Sequence, residues 1–495
     1  MKSITNSSLE TASISVDSLS LVPPEDENRR SHTFKRLSQV VDLSTEEAQE
    51  LANMSNSERE AEIGRLQELI KRYQMLMLLV AINSGWMFYT INMVTYYCKI
   101  DLGLSAAENS LVASILFLPW SFKPIWGFMS DSFNFFGYRF KGHFMIMSLV
   151  TCTIASSLMV FPKPSIEVLV MTLTLHSLAC SYIDALAEGI SAMVTKYNER
   201  IVALRIDSDH EKADSLKSFG LFNSLRGISR SIMMFVGGFV VEKTHNSHLF
   251  YSGMILASYP LFLCLVVFFV FKEDKNPIFF RGCDHFIQGL KKTARSVINK
   301  EALLPLVILV FYRLLPQLGQ AYTYVLLSRG GWSFSRFNTS SFCGALLTNL
   351  ALLFGFTKLG KYVKYNLLIT TGLIMLGMNI MLSSSVLYAQ HYDPFWYSVF
   401  WVLVTSMLNL SMALMLVTVV GRLSRLLPEG FESTGVTVII SINNISNSTG
   451  RFFSSVLLNT YAVKDGYFER LREPQEIVLT LSVLLIAICP LFVSK

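Results

Sequence analysis

Charge is scarce in this sequence. Asp, Glu, Lys and Arg make up 16% of its 495 residues, against 52% hydrophobic residues, and the mean hydropathy is +0.43. A soluble chain of this length needs a more polar surface, so a soluble globular fold is excluded at the outset. Cysteine is also sparse and odd in number, at seven. All but Cys283 lie within or at the edges of apolar stretches, where a thiol acts as a small apolar group. We therefore expect no disulfide framework and no metal site. There is no Gly-rich phosphate loop, no His-Glu-x-x-His pair and no Cys/His cluster, which leaves an ATP-driven pump or an embedded metalloprotease without support. No nucleophile–base constellation is visible, so an enzyme is not expected, and no cofactor is called for.

What is present comes in apolar blocks. Twelve stretches can each cross a hydrocarbon core about 30 Å thick. They are Tyr73–Tyr97, Leu111–Met129, His143–Phe161, Ile166–Val194, Phe219–Val241, Phe250–Phe271, Ala302–Leu327, Phe342–Thr357, Leu367–Tyr388, Phe395–Val420, Gly435–Leu458 and Ile477–Val493. The fold class expected is an all-α membrane protein of twelve transmembrane helices in two six-helix bundles. The net charge of +6 is not a nucleic-acid signal, because the basic residues are sorted by side. One set of alternate loops holds Arg139, Lys141, Lys196, Arg200, Arg205, Lys212, Lys217, a basic run from Lys272 to Lys300, then Lys358, Lys361, Lys364, Arg422 and Arg425. The opposite loops are poorer. The positive-inside rule places the first set and both termini in the cytosol. The opening MKSITNSSLETAS is polar, so the first span is expected to direct insertion itself.

Residues 1–72 read as a polar cytosolic tail whose first part is Ser-rich. Ser44–Glu47 has the form of a capping box, and a Glu/Leu-rich helix leads on to Arg72. Lys35–Ser38 has the form of a basophilic phosphorylation site, or is simply part of a solvated tail. Residues 73–272 and 302–495 form the two bundles, joined by a basic linker over 273–301. That layout is the arrangement of a two-bundle transporter with a midplane site between its halves. Oligomeric state is not legible, and a monomer is the usual case for this architecture.

Ionisable side chains at bilayer depth cost several kcal/mol unless they are paired or face water, so the few that occur stand out. Asp184 and Glu188 are four apart and share a helix face, as do Arg226 and Arg230 on the next span. Two readings stay open. The four can form a buried ion-pair lock. Alternatively, an arginine faces a cavity and forks a substrate carboxylate, while a buried acid carries a proton. Lys123 sits in FLPWSFKPIWGFMSD between Pro119 and Pro124, either snorkelling to the interface or binding a ligand. Arg313 lies beside Pro316, with Gln317 and Gln320 following; a broken helix with polar side chains suits a midplane site. Asn443, Asn444, Asn447, Asn83 and Asn92 fit interhelical hydrogen bonds, and His176 fits a packed neutral side chain. Asn338-Thr339-Ser340 is a sequon near a predicted outer end.

Several of these stretches carry a resemblance. Gly127-Phe128-Met129-Ser130-Asp131 followed by Gly137-Tyr138-Arg139-Phe140-Lys141 resembles the loop signature between the second and third helices of the major facilitator superfamily. In its wider form, PW-x-x-KP-x-x-G-x-x-SD-x-x-x-x-x-GYR-x-K, it resembles the folate–biopterin transporter family. So do Asp184-Ala185-Leu186-Ala187-Glu188-Gly189 and Ser215-Leu216-Lys217-Ser218, leading to Arg226 and Gly237-Gly238. Arg425–Thr434 with Ser441-Ile442-Asn443-Asn444 is similar to that family's RLCPPG-x-EGT-x-x-x-x-x-x-SISN. The resemblance runs from the first span to the eleventh. Two positions depart from it: Pro316-Gln317-Leu318-Gly319 stands where the family has Pro-Ser-Ser-Asp, and Ser433 replaces a glycine. The resemblance implies alternating-access uptake of folates or pterins driven by protons. Arg226, Arg230, Lys123 and Arg313 would then hold carboxylates. Trp120, Trp126, Tyr182 and Phe222 would supply an aromatic wall, with Gln317 a further polar contact. Asp184 and Glu188 would couple protons, and Gly127, Asp131 and Arg139 would form the gating loop. A facilitator for an amino acid, nucleoside or sugar, and a non-transporting receptor or scaffold, are the alternatives. The plasma membrane is the expected location, with an organelle membrane the alternative.

Overall fold

The computed structural model describes residues 54–161, 164–205, 215–244, 247–275, 300–358, 365–391, 393–425, 432–463 and 468–493, with 287, 291 and 294. Ser44–Glu47, Lys35–Ser38, Cys283, residues 426–431 and most of the basic linker lie outside the described residues. The described residues are almost wholly helical: α1 (Asn56–Trp86), α2 (Tyr89–Tyr96), α3 (Ala106–Phe117), α4 (Lys123–Ser132), α5 (Lys141–Ser157), α6 (Ile166–Leu204), α7 (Ser215–Thr244), α8 (His248–Phe269), α9 (Lys300–Leu314), α10 (Gly319–Ser328), α11 (Phe334–Lys358), α12 (Tyr365–Ser384), α13 (Pro394–Arg425), α14 (Glu432–Thr460) and α15 (Arg472–Val493).

The chain divides into a small unit, Met1–Arg65 with Arg200–Lys212, and a large one, Leu66–Glu199 with Ala213–Lys495. In the small unit Glu62 pairs with Arg65 at 2.7 Å and lies 3.8 Å from Arg200. There Ser55 and Glu58 form a capping box: the Glu58 carboxylate accepts the Ser55 amide at 2.8 Å, and Ser55 Oγ accepts the Glu58 amide at 3.3 Å. The large unit carries the site.

Among the described residues eight stretches are long and apolar enough to cross a membrane. They cover the predicted first, second, fourth to sixth and eighth to tenth spans. The predicted third span falls on α5, which is 17 residues long. The predicted seventh is broken into α9 and α10, the eleventh is the Asn-bearing α14, and the twelfth is α15.

The breaks have local chemical causes. Proline lacks an N–H and crowds the preceding turn. Pro119 and Pro124 therefore convert the predicted second span into α3, a 3-10 turn over Leu118–Phe122, and α4. Pro316 separates α9 from α10 in the same way. One break was not expected. The predicted first span is interrupted after Trp86, where α1 gives way to α2.

Apolar residues from the two halves of the sequence form largely separate cores, one around Met93, Leu116 and Leu256, the other around Leu309, Met415 and Val436. The halves meet along two seams, α7 on α11 and α3–α4 on α14. On the first seam Asn92 donates to Met234 O at 2.6 Å and to Asn338 Oδ1 at 2.7 Å. Asn338 is fully buried, so the sequon position is a helix–helix contact, not a surface acceptor for a glycan. On the second seam Asp131 caps α14: its Oδ2 accepts from Thr434 N at 2.9 Å and Thr434 Oγ1 at 2.8 Å, while Arg139 donates to Oδ1 at 3.0 Å. A carboxylate at a helix N-terminus is stabilised by the exposed amides and the dipole.

The close approach at this end depends on two glycines. A Cβ at Gly127 would fall 2.4 Å from Thr437 Oγ1, and one at Gly189 would fall 2.0 Å from Ser433 Oγ. Ser433, where the resemblance expects glycine, is thus accommodated because its neighbours lack side chains. Gly189→Ala should therefore hold α14 away from α4 and α6. In detergent, a single cysteine replacing Thr437 should be labelled by a thiol reagent several-fold faster in that background. Equal labelling rates would show that the seam tolerates the methyl group.

Candidate functional site

The site is built on spacing. Asp184 and Glu188 lie one turn apart on α6, both fully buried. Lys123, the first residue of α4, reaches both: it pairs with Asp184, and its Nζ is 2.7 Å from Glu188 Oε1. Lys123 is fully buried, so it neither snorkels to an interface nor stands free for a ligand. Arg226 of α7 completes the group, 3.1 Å from Asp184 and 3.4 Å from Glu188. Ser84 also donates to Asp184. Two cations and two carboxylates leave this cluster neutral. One oxygen is less well served: Glu188 Oε2 is buried without a hydrogen-bond partner.

Arg230 takes no part in that cluster. Among the described residues no carboxylate lies within ion-pairing distance of Arg230, Arg313 or Arg451. The three are electrostatic neighbours all the same. Arg313 is anchored by donation to Asn443 Oδ1 at 2.9 Å. Arg230 and Arg451 line a cavity of about 200 Å³ together with Asn92, Gln317, Gly319 and Gln320. Arg230 comes from α7, and Arg451 and the two glutamines come from the second half of the chain. A narrow apolar extension, about 20 Å³, shares Ile91, Thr95 and Gln320 with the cavity and includes the rings of Phe88 and Phe117. Arg230 lies over Phe88 at 4.0 Å and Arg451 over Phe117 at 4.5 Å. Beyond the cavity, Ser455 donates to Ala107 O at 2.9 Å and Lys99 to Ser328 at 2.9 Å. Together with the Asp131–Thr434 contact, these tie the halves on both sides of it.

The sequence-predicted residues separate into groups. Lys123, Asp184, Glu188 and Arg226 come together as the neutral cluster. Arg230 and Gln317 line the cavity, with Gln317 donating to Asn447 Oδ1 at 2.6 Å. Arg313 stands behind it on Asn443. Gly127, Asp131 and Arg139 form the α4–α14 seam. Tyr182 is not brought to the cavity: its hydroxyl lies 2.5 Å from His143 Nδ1 and its ring packs on Trp126 at 5.0 Å. Arg451, Phe88 and Phe117 were missed. A signal for Arg451 existed, since Asn443, Asn447 and Arg451 recur every four residues and so share one face of α14.

The sequence model of the BT1 family matches residues 87–493. The chain is a member of the BT1 family.

The BT1 chain is similar to "Folate transporter 1" of Plasmodium falciparum (isolate 3D7), with 23% identity over 76% of this chain and 71% of that protein. It is also similar to the "Folate-biopterin transporter" of Synechocystis sp. (strain ATCC 27184 / PCC 6803 / Kazusa), with 23% identity over 76% of this chain and 73% of the other. Among solved structures, a variant of the nucleoside transporter NupG superposes with a TM-score of 0.60 at 13% identity, over 86% of this chain and 99% of that one. The human organic anion transporter MFSD10 (TETRAN) gives 0.54 at 12% identity, over 86% and 99%. At these identities the structures establish the fold, which is major-facilitator-like and all-α. This BT1 protein is an integral membrane transporter, not an enzyme.

The geometry yields a stability prediction. Removing one partner of a buried ion group strands the others, at a cost of about 3–5 kcal/mol. Lys123→Met should lower the melting temperature in detergent. Adding Glu188→Gln should recover part of the loss, because it removes the stranded charge. If Lys123→Met melts with the wild type, the lysine does not balance the two acids.

Proposed function

We propose that this protein is a secondary active transporter that moves folate- or pterin-like organic anions by alternating access, with protons. The observation that carries the reading is a cavity shared by the two halves that is lined by Arg230 and Arg451 and, among the described residues, by no carboxylate. Guanidinium groups bind carboxylates through paired charge-assisted hydrogen bonds, and a low-dielectric chamber strengthens them. The phenyl rings of Phe88 and Phe117 beside it add apolar surface at its edge. The printed names of the relatives, folate and folate-biopterin transporters, support the same class.

Alternating access here joins two six-helix bundles, 73–272 and 302–495, across the linker 273–301. The 1–72 tail and both termini lie in the cytosol, and the protein works as a monomer in the plasma membrane. The α4–α14 seam is the cytosolic gate. Asp131 must release Thr434 for it to open. Glu188 is the proton carrier, because its Oε2 has no partner to exclude a proton. Asp184, by contrast, is held by Ser84, Lys123 and Arg226. A proton on Glu188 leaves the cluster one positive charge in excess, which favours anion entry. Uptake should then rise as external pH falls.

A second reading has one observation in its favour. A cavity of about 200 Å³ lies below the range of about 300–1,000 Å³ usual for ligand sites, which suits a facilitator for a smaller solute. Uptake of labelled folate and biopterin into vesicles, at acidic and neutral external pH, separates the two. Accumulation greater at acidic pH, lost with a protonophore and abolished by Arg230→Ala, is the expected result. Glu188→Gln should remove the pH dependence. No accumulation of either compound by correctly inserted protein would sink the folate–pterin reading, and competition by smaller solutes would then identify the alternative.

A further inference from the structure

The cavity fixes more than the sign of its ligand. We propose that Arg230 and Arg451 form a two-point clamp for the two acid groups of a single organic dianion. The proposal rests on the organic-anion reading above and narrows it. The two arginines come from opposite halves, α7 and α14, and both line the chamber. Each is laid over a phenyl ring, Phe88 or Phe117, and cation–π contact fixes the plane of a guanidinium while leaving its edge N–H groups to bind. The Nε of Arg451 is buried with no hydrogen-bond partner, a donor that a ligand oxygen can satisfy.

Counter-charge for this pair does not come from the nearby acids. Asp184 and Glu188 are both engaged by Lys123 and Arg226. Arg313 adds a third cation behind the chamber, turned to Asn443. A substrate with one carboxylate would leave one lining guanidinium uncompensated in a low-dielectric space, whereas two acid groups balance both. Gly319 offers a way to test this valence. It lines the same chamber, and a Cβ built there meets nothing within 4 Å. A carboxylate introduced here would put a negative charge in the lining of the chamber that holds both arginines.

The test is binding to the full-length protein purified in detergent, using folate and pteroate. The two share the pterin and aminobenzoyl groups but carry two and one carboxylates. Wild type should prefer folate by about tenfold or more, the usual scale for an added charge-assisted contact. Arg230→Gln and Arg451→Gln should each weaken folate by about tenfold and pteroate less. Gly319→Asp should reduce the folate preference to about threefold or below, while the isosteric, uncharged Gly319→Asn keeps it. Equal binding of folate and pteroate by wild type overturns the clamp but leaves the folate–pterin reading standing. An equal effect of Asp and Asn at position 319 overturns the charge argument. If neither pterin binds, the folate–pterin reading has failed. The clamp is then judged on aromatic dicarboxylates against their monoamides, and absence of a diacid preference there overturns it.

Discussion

The organisation of this protein follows from how it disposes of charge inside a membrane. A charge in hydrocarbon is tolerated only if it is paired or faces a polar cavity. The neutral group of Lys123, Asp184, Glu188 and Arg226 meets the first condition. By using up both acids, it forces Arg230 and Arg451 to meet the second. They line a cavity because the described residues offer them no carboxylate. The ion cluster is thus structural in its bonding and functional in its consequence. It holds α4, α6 and α7 together and leaves the cations beside them with no carboxylate partner among the described residues.

Alternating access, as proposed above, places a different demand on the same helices. A carrier that alternates between two faces needs seams that close tightly and open again. The α4–α14 seam meets this need with side-chain-free positions at Gly127 and Gly189 and with hydrogen bonds from Thr434 to Asp131. Asp131 is paired with Arg139 of its own half, so it keeps a counter-charge when Thr434 leaves. The helix breaks at Pro119, Pro124 and Pro316 sit on the elements that carry Lys123 and Gln317.

Much of this was legible in the sequence, and the division has physical reasons. Features set by neighbours along the chain could be read: the spans from apolar runs, the breaks from prolines, and the facing of Asp184 and Glu188 from their spacing. Which cation met which acid could not be read. Lys123 is 61 residues from Asp184, and their meeting depends on how α4 and α6 are rotated against each other, which local pattern does not fix. The same holds for Arg226 and Arg230. They share a face by spacing, yet one turn of rise takes the second past the acids and into the cavity. The resemblance implies a place for Tyr182 in an aromatic substrate wall. The tyrosine points to His143 instead. Arg451 escaped notice because it follows a run of Asn and Ser that reads as helix–helix polar contact, although its four-residue spacing from Asn447 carried the clue.

The placement of the lining arginines also bears on what drives the halves together. A ligand can shift a conformational equilibrium only by binding one state better than the other. An anion that touched Arg230 alone would bind equally well whether or not α14 had approached, and it would favour no state. An anion that reaches both Arg230 and Arg451 gains its second contact only when the halves close around it. Before closure, each guanidinium is better hydrated and asks less of a partner. After closure, both are desolvated, and the two would repel each other without an anion between them. On the clamp proposed above, the same two residues that would hold the substrate would also make its binding the event that brings α7 and α14 into register, so recognition and the conformational step would share one electrostatic origin.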